Sequence, residues 1–99
     1  MIIEIANITI DPARATEFEA AVAKAAPLFR IAEGCRGMAL QRVIEDPARY
    51  KLVVQWETVE HHTVKFRGSE GFLAWRSLVG PFFVGTPVVI HTKTVATHF

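Results

Sequence analysis

Ninety-nine residues are enough for one hydrophobic core and leave no room for a second, so the chain reads as a single domain over residues 1–99. At 51% hydrophobic and 21% charged it is too apolar to be disordered and unusually apolar for so small a monomer, which points to a partner covering part of its surface. Its 11 basic and 10 acidic side chains are scattered to a net charge of +1, so no basic stripe exists to neutralise a nucleic-acid backbone, and nucleic acid is excluded as an expected ligand.

The amino-terminal run MIIEIANITI alternates like a strand from Ile2 to Ile10 and has neither the basic start nor the cleavage site of a secretory leader. No apolar run approaches the roughly 18 residues needed to span a bilayer, so no membrane association is expected. Cys35 is the single cysteine, no internal disulfide can form, and the cytoplasm is the expected compartment. Alternation places Ile3, Ile5, Asn7 and Thr9 on one face of this strand and Ile2, Glu4, Ala6, Ile8 and Ile10 on the other.

Asp11 followed by Pro12 predicts a helix start, since the carboxylate can accept from free amides and proline suits the first turn. Phe18, Val22, Ala25, Phe29 and Ala32 then form one apolar stripe, Pro27 predicts a kink, and Gly34 supplies a left-handed stop. Gly37 to Glu45 reads as a second strand and Tyr50 to Glu57 as a third, joined by a turn at Asp46, Pro47, Ala48 and Arg49. The third strand carries Tyr50, Leu52, Val54 and Trp56 on one face.

Thr58 can cap a second helical region in which Val59, His62 and Phe66 share a face. Gly68 to Gly71 interrupts it, Ser69 restarts it, and Phe72, Trp75 and Val79 form its apolar stripe until Gly80 and Pro81. Pro87 introduces a last strand, Val88 to Val95. The order is βαββαβ: an α+β, ferredoxin-like fold with a four-stranded antiparallel sheet and both helices on one face. Two helices cover only one side of the sheet, so the apolar residues of the other side predict a homodimer formed sheet to sheet.

The GCRG turn before strand two, the IEDPARY hairpin, the WETVEHHTVKF passage and the FLAWRSLVGPFF segment make the chain resemble the antibiotic biosynthesis monooxygenase family of dimeric α+β barrels over nearly its whole length. The resemblance implies oxidation of a small electron-rich aromatic or quinol-like molecule by molecular oxygen, with no metal and no cofactor. In such chemistry the protein holds the ring, removes a proton and stabilises the oxyanion. The sequence agrees with cofactor independence in having no glycine-rich nucleotide loop, no paired cysteines and no clustered metal ligands. The family also contains haem-degrading members with an asparagine near Asn7, a tryptophan and a haem-ligating histidine. The last two positions align with Phe66 and Arg76 here, so the ligand is missing. An isomerase-like enzyme, a small-ligand binding protein and a non-catalytic dimeric module are the competing readings.

Asn7 and His62 are the candidate catalytic residues, and both are expected in one pocket between the helices and the sheet. Asn7 is either a structural amide or a donor to a substrate oxygen. His62, with an ordinary pKa near about 6.5, is either a general base or a core histidine bonded to backbone. His61 points about 100° away and reads as solvated. Phe66, Phe72, Trp75 and Arg76 form the candidate substrate-binding set, in which Arg76 would hold a phenolate or carboxylate and the rings would stack on a planar ligand. Each aromatic, Phe82 and Phe83 included, serves equally well as core or dimer contact. The face of His91 is open, because Val88, Val89 and Ile90 are all apolar, and Cys35 is assigned no role.

Overall fold

The computed structural model describes all residues, Met1–Phe99. β1 (Ile2–Thr9) lies inside a four-stranded sheet between β3 (Arg49–Trp56) and β4 (Val88–Thr92), and β2 (Cys35–Arg42) forms the edge beyond β3. Every pairing is antiparallel. α1 (Ala15–Arg30) joins β1 to β2, and α2 (Glu70–Val79) lies between β3 and β4 in the chain. The two helices pack against each other and share one core with the sheet, so the βαββαβ, ferredoxin-like expectation holds. No helix is long and apolar enough to cross a membrane.

Local chemistry explains most boundaries. Asp11 Oδ1 accepts from the Ala13 amide at 3.0 Å, and a 3-10 turn over Pro12–Arg14 leads into α1. The helix continues through Pro27 to Arg30 and buries Ala15, Phe18, Val22, Ala25 and Phe29. Gly34 adopts φ +80°, and a Cβ there would also lie 2.3 Å from the His61 ring, so both backbone and space require glycine.

Tyr50, Leu52, Val54 and Trp56 are all buried under the helices, as alternation predicts. Tyr50 also donates to Glu19 at 2.6 Å, tying β3 to α1. β2 starts at Cys35 and ends at Arg42 rather than running from Gly37 to Glu45. β4 stops at Thr92, short of Val95, because its one partner strand is β1 and their register ends at Ile3 opposite Thr92.

The second helical region departs most from expectation. The Thr58 hydroxyl accepts the His61 amide at 3.2 Å, as a cap would, but His61–Phe66 then winds as a π-helical turn in which the Arg67 amide donates to the His62 carbonyl at 3.1 Å. The wider turn keeps both His62 and Phe66 buried. Ser69 Oγ accepts from the Phe72 amide at 3.3 Å and starts α2, as read from the sequence.

The opposite sheet face carries Ile3, Ile5, Val53, Val88 and Ile90, which the helices leave uncovered. Val88 is 63% exposed and Ile90 48%.

Candidate functional site

A cavity of about 810 Å³ opens between α2, the helix-facing side of the sheet and the segment leading into β4. Its floor is Ala6 and Ile8 of β1, Leu52 of β3 and Val89 of β4. Phe72 and Trp75 of α2 form an aromatic wall, and Phe83 and Pro87 form the far end. Arg67 and Arg76 line it with exposed guanidinium groups, Arg76 lying 5.8 Å from the Phe72 ring centroid. Three members of the candidate substrate-binding set, Phe72, Trp75 and Arg76, are therefore together at one cavity.

One charged side chain reaches the floor. Glu4 projects from β1 under the helices and is 5% exposed, yet it lines the cavity. Its Oε1 accepts the indole N–H of Trp56 at 3.0 Å and lies 3.3 Å from His62 Nε2. His62 Nδ1 lies 2.8 Å from His91 Nε2, and its ring stacks on Trp56 with centroids 5.5 Å apart and planes within 19°. The register sets Glu4 opposite His91, which resolves the face of His91: it shares the helix side with Glu4.

Burial governs the proton affinities in this group. Desolvation raises the Glu4 carboxyl above its ordinary value, against the smaller opposing effects of the Trp56 hydrogen bond and the Arg67 charge. Desolvation, then Arg67 and His91, lowers His62 to about 4. Loss of hydration disfavours both charged forms, so the carboxylic acid moves up while the imidazolium moves down.

Several expectations are corrected by this geometry. Asn7 and His62 do not share a pocket. Asn7 projects from the face away from the helices, donates to the Val88 carbonyl at 3.4 Å and accepts from Lys51. Strand alternation is the reason: Glu4, Ala6 and Ile8 occupy the helix side of β1, so Asn7 must point the other way. His62 itself stands behind Glu4 rather than at the cavity lining, and both its nitrogens face partners.

Phe66 is also outside the main cavity. It packs against Phe29 at 4.6 Å and Trp56 at 5.5 Å, and it lines a separate shallow depression with Leu28 and Ala32. Trp75 serves both readings, packing edge-on against Phe29 at 5.0 Å while facing the cavity. His61 is half-buried rather than solvated, held by Thr58 at 2.8 Å and Glu33 at 3.3 Å. Sequence reasoning missed Glu4 as a site residue. The signal was present, since a carboxylate shared a strand face with Ala6, Ile8 and Ile10.

The model of the family described as antibiotic biosynthesis monooxygenase matches residues 1–78. The chain is 36% identical to the uncharacterized protein YczJ of Bacillus subtilis over 95 residues, covering 96% of this chain and 100% of YczJ. A solved structure from Bordetella bronchiseptica, named as a candidate antibiotic biosynthesis monooxygenase, is 54% identical, covers 96% of this chain and 97% of its own, and superposes with a TM-score of 0.94. A mutant of SnoaB, a cofactor-independent oxygenase from Streptomyces nogalater, shares the fold at 19% identity, with a TM-score of 0.79 over 98% of this chain and 95% of its own. The match over residues 1–78 and the identity to YczJ across nearly the whole chain establish that this protein belongs to the antibiotic biosynthesis monooxygenase family.

Proposed function

We propose that the chain oxidises a small, electron-rich aromatic compound bearing an acidic oxygen, using molecular oxygen and no bound cofactor. The observation that carries this reading is the buried carboxyl of Glu4 opening into an apolar, aromatic-walled cavity that two guanidinium groups also line. Phe72 and Trp75 suit a planar ring, and Arg67 and Arg76 suit a phenolate or enolate oxygen. Glu4 accepts the proton whose removal makes the ring electron-rich, and its raised affinity brings a carboxylate closer to neutral pH as a base. At a ring methylene two hydrogens are lost and one oxygen atom enters as a carbonyl. The second oxygen atom leaves as water, and all four electrons come from the substrate.

The test is an aerobic screen of phenols, quinols and anthrone-like compounds with metal-free protein, following oxygen uptake together with product. Glu4→Gln should reduce turnover by roughly 100-fold or more while ligand binding persists. Arg76→Ala should weaken an anionic ligand by roughly tenfold and its neutral analogue little, as expected for one charge-assisted hydrogen bond. Tight binding with no oxygen uptake would make the protein a ligand-binding member of the fold.

The same reading includes a homodimer through the uncovered sheet face, where Ile5 stands opposite Val53 and Ile90 in neighbouring strands. The protein should be dimeric by light scattering at micromolar concentration, and Ile5→Glu should shift it to monomer by burying an unpaired charge. A wild-type protein that stays monomeric would remove this part of the proposal.

A further inference from the structure

Glu4, His62 and His91 form a continuous line of proton-exchanging atoms from the cavity floor to the outer strand of the sheet. His62 is the centre of the line, with Nε2 3.3 Å from Glu4 Oε1 and Nδ1 2.8 Å from His91 Nε2. Stacking on Trp56 fixes the plane of the His62 ring, so its two nitrogens address different partners without rotation. The outer end is open: His91 is only half-buried, its Nδ1 has no hydrogen bond within the protein, and the chain contains no buried polar side-chain atom without a partner.

We propose that this line is a proton wire through which Glu4 exchanges its proton with solvent at His91, with His62 acting by a change of tautomer. The inference rests on the proposed role of Glu4 as the base. A proton held by Glu4 passes to His62 Nε2 while the proton on His62 Nδ1 passes to His91 Nε2, and His91 releases one from Nδ1 to water. His62 stays neutral and ends with its hydrogen on the other nitrogen. The reverse transfer brings a proton back when the oxygenated intermediate releases water. Because the reaction consumes no net proton, each turnover sends one out and one in, and His62 returns to its starting tautomer. The 3.3 Å step is long for a hydrogen bond, as such contacts often are before a ligand closes the site.

Other groups face the line from every packed element. Trp56 of β3 donates to Glu4, Arg67 beyond the π-helical turn acts electrostatically on both Glu4 and His62, Cys35 of β2 lies close enough to Glu4 to feel its charge, and Arg76 of α2 lines the same cavity as Glu4. Burial moves Glu4 up and His62 down, so an excess proton in this group rests on the carboxyl while the imidazole between the two ends stays neutral.

The decisive experiment is nitrogen NMR of the full chain labelled in its histidine rings, recorded between about pH 5 and about pH 9. His62 should remain neutral and exchange the roles of its two nitrogens as Glu4 loses its proton, and Glu4→Gln should abolish that exchange. A single His62 tautomer throughout the range in the wild-type protein overturns the wire, whether or not oxygen uptake is found. Tautomer exchange in a protein that oxidises nothing supports the wire and overturns the oxidation reading instead. Where turnover is present, His91→Phe should lower kcat about tenfold with KM unchanged, and added imidazole should restore part of the loss. Failure of imidazole to restore a folded His91→Phe variant would count against proton delivery and return His91 to a packing role.

Discussion

Replacement of Trp56 by alanine should cost about 3–5 kcal/mol of folding stability, measured by urea unfolding. Trp56 has 0% exposure and packs its ring on His62, Phe29 and Phe66, so truncation empties the centre of the aromatic core. It also removes the indole donor at 3.0 Å from Glu4 Oε1. Trp56→Phe separates the two effects in large part, because it keeps an aromatic ring in the core, with a smaller loss of volume, and removes the donor. That variant should cost about 1–3 kcal/mol, the cost of leaving a buried acceptor unsatisfied. Equal losses in the two variants would show that the volume of the indole contributes nothing beyond its hydrogen bond. Small domains of this size hold a net stability of about 5–15 kcal/mol, so the alanine variant stands close to the limit of folding.

Acidification should weaken the fold through His62. Its folded-state pKa is lowered from 6.5 to about 4, so the folded protein resists the proton that the unfolded chain accepts. This stabilising contribution is fully present above pH 6.5 and is lost as the pH falls towards 4. The loss over that window is on the order of 3 kcal/mol. Glu4 has the opposite sign. Its folded-state pKa is raised above 4.5, so its contribution is present at lower pH and is lost as the pH rises through the folded value. The net slope of the wild-type protein is therefore shallower than His62 alone would produce. Urea unfolding at pH 7 and pH 4 should show His62→Gln losing less stability than wild type across the interval, because glutamine does not titrate. Parallel stability curves for the two proteins would refute the assignment to His62.

Family and fold were legible because they depend on periodicity and punctuation, both of which are local. The stripe Phe18, Val22, Ala25, Phe29 and Ala32 and the alternation Tyr50, Leu52, Val54 and Trp56 each record one face, and the structure buries every one of these residues but Ala32, which lies past the end of α1 and is half-buried. The Asp11 and Ser69 caps and the left-handed Gly34 depend on backbone groups within a few residues. The ends of β2 and β4 were less legible, since a strand stops where its partner stops, and the partner is distant in sequence.

By itself the sequence determined the βαββαβ order and placed Phe72, Trp75 and Arg76 on one helical segment, because helix and strand periods sort side chains without reference to the rest of the chain. Only the tertiary structure decided which face of β1 met the helices. A period of two separates Glu4 from Asn7 without saying which is buried, and both faces carried isoleucines. Packing turned Glu4 inward and Asn7 outward, and the antiparallel register then set His91 across from Glu4. The π-helical turn carries His62 between them: the α-helical spacing of His62 and Phe66 already put the two on one face, but neither the wider winding nor the partners of the His62 ring could be read from that spacing. The site residues were each visible in the chain, but their convergence depends on contacts between residues 4, 62 and 91, and such contacts form only when the sheet closes under its helices.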